Sequence, residues 1–175
     1  MKVKIVEKDV LNPLAEIEAI KLEVNPIPEN INKISLFDNT KPNANLILKI
    51  IAESLDNINF HRVIKPAGAP ATPQQLENAV QADLSILALG DCGSCTSWVI
   101  LDAIRLEKDE IPTISICSHK FITYAKELAR SHGMENLRIV EIEHPIAGQS
   151  QDRVERKVKK ILPEIEALLK LDQKI

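Results

Sequence analysis

Two cysteines three residues apart, Cys92 and Cys95, stand just beyond an apolar run that ends at Gly90. That run, Leu-Ser-Ile-Leu-Ala-Leu between Asp83 and Gly90, reads as a strand covered on both faces. Cys92 therefore leaves a strand end and enters the first turn of a helix. Helix N-termini carry unpaired N–H groups and partial positive charge, which favour the thiolate and make it the better nucleophile near neutral pH. Gly93 and Ser94 keep the turn small and let backbone N–H groups approach an anion. Cys95 lies on the same helical face, placed to act as a resolving thiol. A disulfide between the two requires Cα atoms within about 7 Å. Thr96 and Ser97 add hydroxyl donors, and Asp91 could cap the helix or act as a base.

Two plainer readings compete. The cysteines could be small buried apolar residues. Alternatively Cys92, Cys95 and Cys117, with His119 or His144, all fall at carboxyl ends of expected strands and could offer four ligands to zinc. A structural zinc normally uses two tight pairs, and only one pair is present, so no metal is expected. Asp38, Asn39, Thr40 and Lys41 form the other unusual loop and are expected to orient a substrate, with Lys41 or Lys65 holding a carboxylate. His144, at the end of the last strand, is expected to join them. His61 reads as structural or surface, Trp98 as core or site wall, and Cys117 as a packed strand residue.

These residues need a scaffold, and the periodicity supplies one. Lys33–Phe37, Phe60–Lys65, Asp83–Gly90, Ile111–Cys117 and Leu137–Glu143 read as strands. Helical spacing follows each: Asn43 to Leu55, a helix opened by Thr72-Pro73-Gln74-Gln75, about Ser97 to Lys108, His119 to His132, and a long helix after Gly148. Thr72 and Gln75 have capping-box spacing with Pro73 at the first helical position. Trp98, Leu101 and Ile104 or Arg105 are expected to form one stripe. Val154, Val158, Ile161, Ile165 and Leu168 form another. Five strands alternating with helices predict an α/β fold, a three-layer α/β/α arrangement of flavodoxin-like type. The expected parallel order is 2-1-3-4-5. In that arrangement the strand order reverses between strands 1 and 3, and ligands of open sheets bind beyond the carboxyl ends at that point. The two unusual loops are placed there. Residues 1–30, with strand-like pieces Lys2–Val6 and Ile17–Val24, read as an N-terminal arm of the same unit. Residues 31–175 form a single domain.

Composition excludes several functions. The 175 residues carry 22 basic and 25 acidic side chains, a formal charge of -3. That argues against nucleic-acid binding through bulk charge, and 3% aromatic residues leave no stacking surface for single strands. No apolar run approaches the roughly 20 residues of a membrane span. The start, charged throughout, has no signal-like apolar core. Together with an odd cysteine count this predicts a cytoplasmic protein without a disulfide scaffold. Phosphate-loop, dinucleotide and nucleophile-elbow motifs are absent. The loop after the first strand lacks a glycine cradle for a flavin phosphate, so no cofactor is expected.

Asp38-Asn-Thr-Lys-Pro-Asn-Ala44, Gly90-Asp-Cys-Gly-Ser-Cys-Thr-Ser-Trp98, Ile111-Pro-Thr and His144-Pro-Ile-Ala-Gly148 together resemble the UGSC family. That family is named for selenocysteine-Gly-Ser-Cys, with cysteine in many members. The sequence is more distantly similar to the B component of glycine, sarcosine and betaine reductases. Those carry selenocysteine-x-x-Cys-x-x-Cys before a helix, then an Ile-Pro strand and a His-Pro turn. The resemblance implies that Cys92 occupies the selenocysteine position and Cys95 the next cysteine. Trp98 stands where those reductases have a third.

The function expected from the sequence is a thiol-dependent oxidoreductase or reductase-like enzyme. Cys92 attacks a small molecule or a partner disulfide, and Cys95 resolves the adduct. Ser97 and Thr96 stabilise developing charge. A thiol reductant such as a thioredoxin-like protein restores the pair. A homo-oligomer or a larger reductase complex is left open. The alternative is a non-catalytic metal- or ligand-binding module, or a small reductase subunit, with Cys92 and Cys95 as ligands.

Overall fold

Apolar strands that must be buried on both faces require helices above and below the sheet, and the chain meets that requirement. The computed structural model describes residues 21–171. Strands β1 (Lys33–Asp38), β2 (Asn59–Ile64), β3 (Leu84–Gly90), β4 (Thr113–Ser118) and β5 (Ile139–Ile142) alternate with helices. These are α1 (Ala44–Ser54), α2 (Pro73–Ala79), α3 (Gly93–Lys108), α4 (Ile122–Ser131) and α5 (Gln151–Leu171), with one 3₁₀ turn at His119–Phe121. The sheet order is β2-β1-β3-β4-β5 and every pairing is parallel. This is the expected flavodoxin-like order, with its reversal between β1 and β3.

Burial follows position in the sheet. All seven residues of central β3 are buried, whereas edge strand β2 shows one buried residue, Val63. One apolar layer joins Ile34, Leu84, Ile86 and Ile114 to Ile47 and Ile51 of α1 and to Val154, Val158, Ile161 and Ile165 of α5. The other joins Phe37, Val63 and Leu87 to Val99, Ile100, Ala103 and Ile104 of α3 and to Ala125 and Ala129 of α4. The α5 stripe ends on buried Leu169, with Leu168 only partly buried, because four residues carry the face round from Ile165 more closely than three. The capping box forms: the Thr72 hydroxyl accepts from the Gln75 N–H at 3.3 Å, and Gln75 Oε1 accepts from the Thr72 N–H at 2.9 Å.

Two expectations change. Helix α3 begins at Gly93 rather than near Ser97. Its buried face runs through Cys95, Thr96, Val99, Ile100 and Ala103, so Trp98 and Leu101 lie at the margin, partly exposed. Small and hydroxylic residues in the first turn hid that start, since they read equally as loop. The described part of the second strand-like piece, Lys21–Val24, is irregular. The Leu22 N–H donates to Gly133 O at 2.8 Å, and Leu22 and Val24 pack on the α3–α4 layer. The rest of that piece, and Lys2–Val6, lie outside the described residues. Asn25 is bound to buried Glu107 and to Arg138. Glu107 also accepts from the Thr113 N–H at 2.7 Å. Residues 21–25 thus sit at the N-terminal ends of β4 and β5, away from the carboxyl rim.

Candidate functional site

Parallel strands bring five loops to the carboxyl rim, and the cysteine loop occupies its middle. Cys92 is the N-cap of α3, with extended backbone (φ -159°, ψ 169°). A cap has one duty, to satisfy an orphan N–H of the first turn. Here the acceptor is sulfur: Cys92 Sγ receives the Cys95 N–H at 3.4 Å. Asp91 is therefore not the cap. The Cys92 and Cys95 sulfurs lie within bonding distance, with Cα atoms 5.5 Å apart, inside the range a disulfide needs. Cys92 is half-buried and Cys95 fully buried. The Ser94 hydroxyl stands 3.8 Å from Cys92 Sγ.

The hydroxyl of Thr96 donates to Cys92 O at 2.6 Å and that of Ser97 to Gly93 O at 3.0 Å. Ser97 has one proton, so the 2.7 Å contact between Ser97 Oγ and the Tyr124 hydroxyl is donated by Tyr124. Among the described residues the N–H groups of Gly93 and Ser94 stay without partners, as first-turn groups do. A Cβ on Gly93 would meet nothing within 4 Å, so a ligand can reach these donors over bare backbone. Tyr124, 44% exposed, escaped the sequence reading because only α4 docking on α3 brings it near.

The strand beneath is tightly packed. A Cβ on Gly90 would lie 2.6 Å from Cys117 Sγ and 2.9 Å from the Thr96 hydroxyl. Gly90→Ala is expected to destabilise by about 1–3 kcal/mol. Cys117→Ala in the same chain should recover part of that loss in a denaturant titration. An unchanged midpoint for the single variant would contradict this packing. Burial pushes the Cys117 thiol up to about 12, so it is a packing residue and supplies no thiolate. No group of three His, Cys, Asp or Glu side chains able to hold a metal occurs among the described residues.

Asp91 follows β3, and its carboxylate is committed. Oδ2 accepts the N–H groups of Ile146 at 3.1 Å and Ala147 at 2.8 Å. Oδ1 lies 2.8 Å from His144 Nδ1. Burial alone would raise its pKa, but the bonds from Ala147, Ser118, Ile146 and His144 outweigh burial and hold it below the usual 3.8. A carboxyl lowered in this way binds fewer protons folded than unfolded. Its contribution is therefore complete above about pH 4 and is lost as pH falls through its folded value. Asp91→Asn should flatten the fall in stability below about pH 4. Equally steep acid curves for both proteins would contradict the assignment. Such a carboxylate is a poor base, and that expectation is set aside.

The β1 loop is held to β3 by Asn39. Its Oδ1 accepts the N–H groups of Leu89 at 2.9 Å and Lys41 at 3.1 Å, and its Nδ2 donates to Leu89 O at 2.9 Å. Asp38 accepts from the Thr40 N–H at 2.8 Å and pairs with Arg62. Thr40 Oγ1 donates to Lys65 O at 3.1 Å. The Asn43 amide donates to Ile146 O and Gln149 O, fastening this loop to the one after β5. Asp38, Thr40, Lys41, Pro42, Asn45 and Arg62 line a cleft of about 270 Å³, and the Lys41 ammonium has no ion pair among the described residues. The cysteines do not line this cleft. The two loops share a rim and are joined by Asn39.

Lys65 does not face a ligand. It is 1% exposed, with its ammonium 2.6 Å from Asp102 Oδ2, donating to Ala69 O at 2.5 Å and lying 6.0 Å from the Trp98 ring centre. Asp102 is a contact of opposite charge rather than an aligned hydrogen-bond partner. Desolvation lowers the Lys65 pKa against the pull of Asp102. His61 is bonded to Asn78 O at 2.8 Å.

Comparison with known families gives a match to the UGSC family over residues 9–171. No curated protein matches the sequence. Among solved structures, a flavodoxin from Streptococcus pneumonia TIGR4 is similar at 13% identity and TM-score 0.45, over 77% of this chain and 97% of that one. A short-chain flavodoxin associated with a non-canonical PDU bacterial microcompartment is similar at 10% identity and TM-score 0.42, over 79% and 97%.

Proposed function

The chain belongs to the UGSC family, and from that premise we propose that it is a thiol-dependent oxidoreductase with Cys92 as nucleophile and Cys95 as resolving thiol. One observation carries the reading. A half-buried sulfur caps a helix N-terminus, and a second, fully buried sulfur stands within bonding distance behind it. The outer sulfur can meet a substrate, and the inner one is shielded until an adduct forms.

In the reduced protein the Cys92 thiolate attacks one sulfur of a disulfide, on a small molecule or a partner. A mixed disulfide forms and the other sulfur departs as a thiolate, which takes up a proton. The Cys95 thiolate then attacks Cys92 Sγ and expels the second sulfur. Two electrons pass from the cysteine pair to the substrate, which leaves as two thiols, and the protein is left with a Cys92–Cys95 disulfide. An external dithiol, such as a thioredoxin-like protein, reverses the last change. The free N–H groups of Gly93 and Ser94 and the Ser94 hydroxyl stabilise negative charge on sulfur. Thr96 and Ser97 support them by holding the first-turn carbonyls. Asp38, Thr40 and Lys41 orient the substrate from the same rim, with the Lys41 ammonium taking its carboxylate. No described helix is long and apolar enough to cross a membrane, and we place the reaction in the cytoplasm.

The test is alkylation of the reduced protein by iodoacetamide, followed for each cysteine by mass spectrometry against pH. Cys92 is expected to label first between about pH 6 and 7. First labelling of Cys95 or Cys117 in that range would reverse the assignment.

A further inference from the structure

We propose that His144 is the proton-transfer residue of the Cys92 site and that Asp91 is the positioning residue that fixes its tautomer. This rests on the redox reading above and adds to it the group that handles the proton. Asp91 is the residue before Cys92, and its own N–H donates to Cys95 Sγ at 3.3 Å. The same residue's carboxylate holds His144, 53 positions away in sequence, at 2.8 Å. One residue, adjacent in sequence to the nucleophile, thus touches the buried sulfur of the pair and the imidazole.

The tautomer follows from donors and acceptors. An ionised carboxylate only accepts, so His144 Nδ1 carries the proton. The Ser118 hydroxyl, 3.1 Å from the same nitrogen, lies alongside this bond and also supports the carboxylate. Nε2 therefore keeps its lone pair. It has no hydrogen-bond partner among the described residues, on a side chain 28% exposed. His119 is fixed in the opposite sense: its Nδ1 accepts the His144 backbone N–H at 3.0 Å, so its proton sits on Nε2. The rim presents one imidazole acceptor and one imidazole donor, with ring centres 6.1 Å apart.

The groups facing His144 are few. Asp91 comes from the loop after β3, Ser118 from the end of β4, and His119 and Phe121 from the 3₁₀ turn. From α5, Lys157 donates to Pro145 O at 2.9 Å. The neighbouring Glu143 carboxylate is held by Lys157 and Lys160. Among the described residues Asp91 is the sole carboxylate bonded to the ring, and an imidazolium formed there gains its charge directly.

The step balances. The Cys92 thiol gives its proton to His144 Nε2, and the sulfur lone pair forms the new S–S bond. The electron pair of the broken S–S bond leaves on the departing thiolate, which takes the proton from Nε2. His144 and Asp91 end unchanged.

The experiment uses the full chain with oxidised glutathione as probe. Exchange rate is followed against pH for wild type, His144→Gln and Asp91→Asn, and imidazole ¹⁵N spectra are recorded for wild type. The expected wild-type profile departs from that of a thiol acting alone, because a second group carries the proton. In His144→Gln the profile reduces to that of the thiol alone and the rate at neutral pH falls by about 10²-fold or more. In Asp91→Asn the rate at neutral pH falls as well, because the imidazole loses the carboxylate that fixes its tautomer. The spectra should show His144 protonated on Nδ1. The opposite tautomer, or a His144→Gln profile superimposable on wild type, overturns the proposal while leaving Cys92 exchange intact. A wild type that does not exchange at all, with the Nδ1–H tautomer present, overturns the redox reading and the proton role that depends on it.

Discussion

Cys92→Ser is expected to lower disulfide exchange by roughly 10³-fold or more, because the hydroxyl that replaces the thiol is not ionised at neutral pH and no other exposed sulfur stands at the rim among the described residues. Cys117 cannot substitute, being fully buried with its thiol pushed up to about 12. Cys95→Ser should behave differently. The first attack proceeds, but nothing expels the bound half of the substrate. A mixed disulfide on Cys92 therefore accumulates, visible as added mass that a dithiol removes. Equal loss of the first attack in both variants would show that Cys95 is needed to make the nucleophile, not to resolve its adduct. Undiminished turnover in Cys95→Ser would make it a packing residue.

Asp102→Asn should cost about 3 kcal/mol or more in unfolding free energy, the scale of breaking a buried ion pair from one side. The Lys65 ammonium is 1% exposed and Asp102 is its counter-charge. The asparagine of this variant would still accept the Ala71 N–H, which now reaches Asp102 Oδ1 at 3.0 Å, so the change removes charge with little change of shape. Lys65→Met combined with Asp102→Asn should recover more than half of the loss, since no buried charge then remains at this contact. The single Trp98, near that ammonium, offers a fluorescence readout of the same unfolding. A double variant as unstable as the single one would show that Lys65 acts through its bond to Ala69 O and not through the charge pair.

The elements that position the site were legible because their signals are local. The β3 run, the Thr72–Gln75 box and the α5 stripe each depend on neighbours in sequence. Alternation of strands and helices then limits the topologies to few, and the observed β2-β1-β3-β4-β5 order is among them. The cysteine pair was legible for the same reason, since a spacing of three is a local fact. What stayed hidden is non-local or isotropic in sequence. The sulfur cap at Cys92 was masked by Gly93-Ser94, which suit a loop as well as a first helical turn. Lys65 reads as a solvated lysine until α3 places Asp102 against it. The Asp91–His144 contact joins ends of different strands, and no periodicity pairs them. Asn39 looked like a turn-maker or a ligand-binding residue. Its side chain instead completes the backbone bonding between β1 and β3, and the sulfurs are not among the residues that line the neighbouring cleft.

The central claim is that Cys92 and Cys95 interconvert between dithiol and disulfide. It is tested most directly by intact-mass measurement of the reduced protein after mild oxidation, followed by peptide mapping. The account predicts loss of two hydrogens, mapped to a Cys92–Cys95 linkage and fully reversed by a dithiol. Oxidation that adds oxygen to Cys92 as sulfinic acid, with Cys95 remaining a free thiol, would contradict it.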